Sequence, residues 1–125
     1  MKKRLINRLK DFGYQYDSKM DASLIEFTLA AVENKIKNCI NAETVPEGLA
    51  EVEIDMACGE FMKLKKSMGQ LAGYDFSPVA ETIKEGDTSI TFQKGASVEQ
   101  QFDAAIDAMI NGHDEEFARY RRLVW

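Results

Sequence analysis

The sequence predicts a mainly α fold, a small helical bundle with one β-hairpin inserted before the C-terminal helices. Three observations carry that prediction. Apolar residues recur every three or four positions through most of the chain, as one covered helix face requires. The segment Ile83-Lys84-Glu85-Gly86-Asp87-Thr88-Ser89-Ile90-Thr91-Phe92 breaks that rhythm. Its Gly86-Asp87 suits a tight reversal, and Ile90 and Phe92 alternate with Thr91 as a half-covered strand would. Two capping-box patterns, Thr44-Val45-Pro46-Glu47 and Ser97-Val98-Glu99-Gln100, mark helix starts.

Taken in order, residues 2–12 place Leu5, Ile6, Leu9 and Phe12 on one face, and Gly13 follows as a C-terminal cap. Asp17-Ser18 offers the next start signal, and Ile25, Leu29, Val32, Ile36 and Ile40 form the stripe of a long second helix. Its other face carries Glu26, Glu33, Asn34 and Lys37. The third helix has the most regular pattern: Ala50, Ile54, Ala57, Phe61, Leu64, Met68 and Leu71, flanked by Met56 and Met62. A methionine-rich stripe reads as core packing, with an adaptable subunit interface as the functional alternative. Gly69 and Gly73 mark its fraying end, and Tyr74-Asp75-Phe76-Ser77-Pro78 leads into the β segment. Beyond the second capping box, Phe102, Ile106, Met109 and Ile110 share a face. Asn111-Gly112 closes that helix, and Asp114 is placed to cap a short last one with Phe117, Tyr120 and Leu123. An isolated hairpin is marginal in water, so this one needs cover from its own helices or from a neighbouring subunit.

A chain of 125 residues fits a single domain, 1–125, with a substantial core, and no tract divides it. No apolar run reaches the roughly 20 residues of a spanning helix, so no membrane partner is expected. The start Met1-Lys2-Lys3-Arg4 is followed by polar residues rather than an apolar block, which points to cytoplasmic synthesis. The net charge of −5 is unevenly spread. Residues 1–20 hold six Lys/Arg against two Asp, and residues 21–60 hold nine acids against two lysines. Solvated helix faces explain this; the alternative is complementary charge between copies of the chain, or an acidic wall past which DNA slides.

Catalysis finds few residues. Cys39 and Cys58 sit apart inside helical patterns and read as small buried hydrophobes. One histidine and two separated cysteines give no zinc spacing, and no metal or other cofactor is expected. His113, in a helix-to-helix corner, reads as a turn or capping residue. Glu47, Glu51 and Asp55 share a face at spacings of four and read as a solvated acidic surface. There is no nucleophile elbow, no phosphate-binding loop and no Glu-x-x-His pair for a di-metal bundle, so no enzymatic activity is expected.

The terminal run Arg119-Tyr120-Arg121-Arg122-Leu123-Val124-Trp125 combines residue types found at protein–protein hot spots. Its arginines also complement a helix dipole, and stacking on nucleic acid is a third use. We weigh a partner or internal packing above nucleic acid, because the overall charge is acidic.

The β segment and this ending, behind a helical N-terminal half, resemble the head–tail connector (adaptor, or head-completion) proteins of tailed bacteriophages and prophages. The resemblance covers most of the chain and is sharpest at Glu-Gly-Asp-Thr-Ser-Ile-Thr-Phe and Tyr-Arg-Arg-Leu-Val-Trp. It implies a structural virion protein, made in the bacterial host cytoplasm and placed at the head–tail junction. There it forms an oligomeric ring on the portal, extends the DNA channel and meets the next tail-joining (stopper) protein. Duplex DNA then passes without specific binding. By analogy Gly86, Asp87, Thr88 and Phe92 contact neighbours or line the ring, and Arg119, Tyr120, Arg121 and Trp125 dock onto the portal or an adjacent subunit. The alternative is a small phage-encoded regulatory or interaction module that binds a host protein. A DNA-binding packaging factor, using Lys2, Lys3 and Arg4 with the terminal arginines, is a third reading.

Overall fold

A computed structural model describes residues 1–71 and 97–121. Among them every regular element is helical: α1 (Lys2–Asp11), α2 (Ala22–Ile40), a 3-10 turn (Glu47–Leu49), α3 (Ala50–Ser67), α4 (Val98–Asn111) and α5 (Asp114–Tyr120). The predicted hairpin over Ile83–Phe92, with Gly86, Asp87, Thr88 and Phe92, lies outside the described residues, and so does Trp125.

Helix α3 is the axis of the bundle. Its buried residues run almost all round, from Val52, Ile54, Met56, Ala57 and Cys58 to Phe61, Met62 and Lys65. A helix covered on nearly every side must have neighbours on nearly every side. Helices α1, α2 and α4 all pack against it, while α5 rests on α2. Leu5, Leu9 and Phe12 from α1, Ile25, Val32, Ile36 and Ile40 from α2, Phe102, Ile106, Met109 and Ile110 from α4, and Phe117 from α5 join one core. The methionine reading holds for Met56 and Met62, which are fully enclosed; Met68, expected in the same stripe, is exposed beyond the end of α3.

Helix ends follow local chemistry. After α1 the Gly13 N–H bonds the Lys10 carbonyl and the Tyr14 N–H bonds the Leu9 carbonyl, with Gly13 at φ +78°. After α3 the same pair of bonds recurs, Gly69 N–H to Lys66 and Gln70 N–H to Lys65, with Gly69 at φ +72°. Both are Schellman caps, which need a residue free to adopt positive φ. Asn41 ends α2 in the same left-handed region. The Ser97 capping box forms in full: its hydroxyl accepts from the Gln100 N–H, and the Gln100 side chain accepts from the Ser97 N–H.

Three boundaries differ from expectation. Helix α2 begins at Ala22, because Asp17-Ser18 instead opens a turn in which Asp17 accepts from the Lys19 N–H. The Thr44 capping box does not form: Pro46 precedes a short 3-10 turn that has no side-chain cap. His113, rather than Asp114, occupies the position before α5. On α2 the buried stripe runs Ile25, Thr28, Val32, Ile36, Ile40, so the threonine takes the place expected for Leu29, which is only half-buried.

Candidate functional site

The C-terminal residues singled out from the sequence fall into two groups. The Arg121 side chain donates from Nε to the Cys39 carbonyl at 3.1 Å. That carbonyl belongs to the last turn of α2, where acceptors lack helical partners and negative partial charge accumulates. Tyr120 lies across the 3-10 turn, its hydroxyl so close to Gly48 that a Cβ there would stand 1.8 Å from it. These two side chains therefore anchor the end of α5 to the bundle. Arg119 is exposed and has no ion pair among the described residues.

The basic first segment and the acidic second quarter meet within the one chain. Arg4 pairs with Glu51, Arg8 with Asp55 at 2.8 Å, and Lys2 with Glu26 at 3.3 Å. The acids at spacings of four are thus partly a seat for α1, not only a solvated face. Burial holds the Asp55 carboxyl above its usual value, and the facing Arg8 only partly offsets this.

A buried polar network escaped the sequence reading. Lys65 donates to Asp21 Oδ1 at 2.8 Å and to Gln70 Oε1 at 2.6 Å. The Tyr14 hydroxyl donates to Asp21 Oδ2 at 2.8 Å, and the Asp17 N–H donates to the same oxygen at 3.1 Å. The two Schellman caps deliver Tyr14 and Gln70 to this cluster from the ends of α1 and α3. Burial alone would raise the Asp21 carboxyl, but the bonds from Lys65, Asp17 and Tyr14 outweigh it and hold it below the usual range. Burial, then the bond to Asp21, pushes the Tyr14 phenol well above its ordinary value. Tyr14 also meets the edge of Phe61, centroids 5.3 Å apart. A lysine standing four residues after Phe61 on an otherwise buried helix face was the available signal.

This cluster ties α1, the start of α2 and α3 together around the buried Asp21 and Lys65. Burial also raises the Cys58 thiol far from reactivity. The His113 Nε2 lies 2.7 Å from the Met109 carbonyl, as a turn histidine should. Among the described residues no three His, Cys, Asp or Glu side chains group as metal ligands, and no helix is long and apolar enough to cross a membrane.

What the described surface offers is a grooved face. Glu60, Lys63, Leu64 and Ser67 share the outer side of α3. On one flank, against α4, lies a groove of about 410 Å³ with Phe102, Ile106 and Ile110 in its wall and Lys63 and Asp107 at its lip. On the other flank, against α2, Phe27, Ala31, Val32 and Leu64 line a smaller one of about 140 Å³. Apolar grooves with a few charged residues at the lip can seat a small molecule or the side chains of a partner. Compared with protein-family models, curated proteins and solved structures, the chain matches none.

Proposed function

We propose that this chain is a head–tail connector of a tailed phage or prophage. It assembles into an oligomeric ring that joins the portal of the DNA-filled head to the tail and extends the DNA channel. The observation that carries the reading is one of sequence: the Glu85–Phe92 segment and the Tyr120–Trp125 ending in one short, mainly helical chain. The partners are then the portal, the stopper protein and further copies of the chain, and the role is structural rather than enzymatic.

Two features of the bundle support this role. Tyr120 and Arg121 hold the end of α5 against the bundle, which leaves Arg119 exposed for a neighbour. Lys2, Arg4 and Arg8 are engaged in ion pairs within the chain, and the chain as a whole carries a net charge of −5. A channel wall of that character makes few counterion-releasing contacts and lets duplex DNA pass without arrest.

Mixing the purified chain with its cognate portal and imaging in negative stain tests the proposal. Rings seated on the portal at micromolar chain are the expected result; a bare portal at that concentration overturns it.

A further inference from the structure

The groove between α2 and α3 has an unusual neighbour. Phe27, which forms one of its edges, is a phenyl ring left 65% exposed. Beside it the groove holds about 140 Å³ of space. A cavity of roughly 150 Å³ lined by apolar side chains accommodates one benzene ring. A protruding ring and a groove of about one-ring volume, walled by Thr28, Ala31, Val32 and Leu64 with Lys35 and Glu60 at its rim, therefore sit on the same patch.

We propose that this patch pairs with the same patch of a second copy, each Phe27 entering the other's groove. Self-complementarity is what a two-fold interface demands: a contact from residue i to residue j is repeated from j to i. The charges at the rim obey the same rule. Lys35 of α2 and Glu60 of α3 face each other across the groove at 3.7 Å, both partly solvated. A two-fold pair that sets Lys35 of each copy against Glu60 of the other forces no like charges together. A partner of one net sign would leave one member of this pair opposed, which favours a second copy over an acidic or basic peptide. The aromatic knob has the character of an interface anchor, and the groove's lip at Ala31 is small enough to admit it.

This pairing does not rest on the connector reading. A two-fold contact closes at two copies, whereas a ring needs a head-to-tail contact between two different surfaces. The two are tested apart by leaving the portal out.

Sedimentation of the purified chain from about 1 μM to about 1 mM reads the association directly. The expected result is a reversible monomer–dimer equilibrium. Phe27→Ala should raise its dissociation constant by about 30-fold or more, as losing a hot-spot ring does. Ala31→Glu should weaken it without touching the ring. Both sites are exposed on α2, so far-UV circular dichroism and the melting temperature should stay those of the parent. Lys35→Glu alone should weaken the pair, and Lys35→Glu combined with Glu60→Lys should restore it. A chain that stays monomeric throughout overturns the proposal. So does an open-ended series of oligomers, or a dimer indifferent to both Phe27→Ala and Ala31→Glu.

Discussion

At the scale of single residues, the decisive contact is the ion pair of Lys65 and Asp21, whose side chains are 7% and 2% exposed. Two charges leave water here, and the cost is offset only because Tyr14, Asp17 and Gln70 complete the bonding. Removing one partner strands the other. Lys65→Met should therefore cost about 3–5 kcal/mol in urea unfolding. Asp21→Asn combined with Lys65→Met should cost much less than the sum of the single changes. The Asp21 carboxyl is held below its unfolded value, so its contribution is present above about pH 4 and is lost as pH falls through the folded value. Asp21→Asn should flatten this acid limb of the stability profile. An unchanged limb would mean that the carboxylate contributes nothing by its charge.

At the scale of elements, the approach of α4 to α3 depends on Gly59. A Cβ at this position would meet Ile110 Cγ1 at 2.9 Å, Met109 Cβ at 3.2 Å and the Ile106 carbonyl at 3.3 Å. Helix propensity favours alanine over glycine by about 1 kcal/mol, while overpacking a tight contact costs about 1–3 kcal/mol. The carbonyl belongs to the α4 backbone and cannot step aside as a side-chain tip can. Gly59→Ala should therefore lower stability by about 1 kcal/mol, against the sign that propensity gives. Thermal melting decides it; a more stable variant would show that α4 shifts freely.

The helices themselves were legible from sequence because each carries a strong period and a nearby punctuation residue. Gly13 and the Ser97 box behave as their chemistry dictates. What sequence could not show was which polar residues long-range packing would enclose. Asp21 falls inside the helix expected from Asp17-Ser18 onward, and no local pattern marks it for burial until α3 brings Lys65 to it. Thr28 reads as neutral until α3 covers it, with its hydroxyl left unbonded. The grooved outer face was equally invisible, because Phe27 and Leu64 acquire a shared hollow only when α2 and α3 lie side by side. Of the eight residues proposed for interfaces, the described structure places Arg119, Tyr120 and Arg121 at one end of α5.

At the scale of the whole molecule, charge is divided between holding the bundle and facing outward. The pairs of Lys2, Arg4 and Arg8 with Glu26, Glu51 and Asp55 are partly exposed, and such pairs contribute about 0.2–1 kcal/mol each. Their effect is chiefly to orient α1 on α2 and α3, whose apolar contacts supply most of the adhesion. The same division runs through Arg119, Tyr120 and Arg121 at the end of α5. Arg121 completes the end of α2, and Tyr120 covers Gly48, so both belong to the folded monomer. Arg119 does neither. Arg121→Ala should thus lower the stability of the isolated chain by about 1 kcal/mol, the net worth of a typical intramolecular hydrogen bond. Arg119→Glu should leave it within about 0.5 kcal/mol, as surface changes usually do. On the connector reading the order inverts on the portal: Arg119→Glu should lose rings in negative stain, because a docking cation has been reversed while the fold is intact. Melting curves and ring counts from the same preparations separate the two roles. Full rings from Arg119→Glu would remove this arginine from the docking surface and leave Tyr120 and Arg121 as anchors of the fold alone.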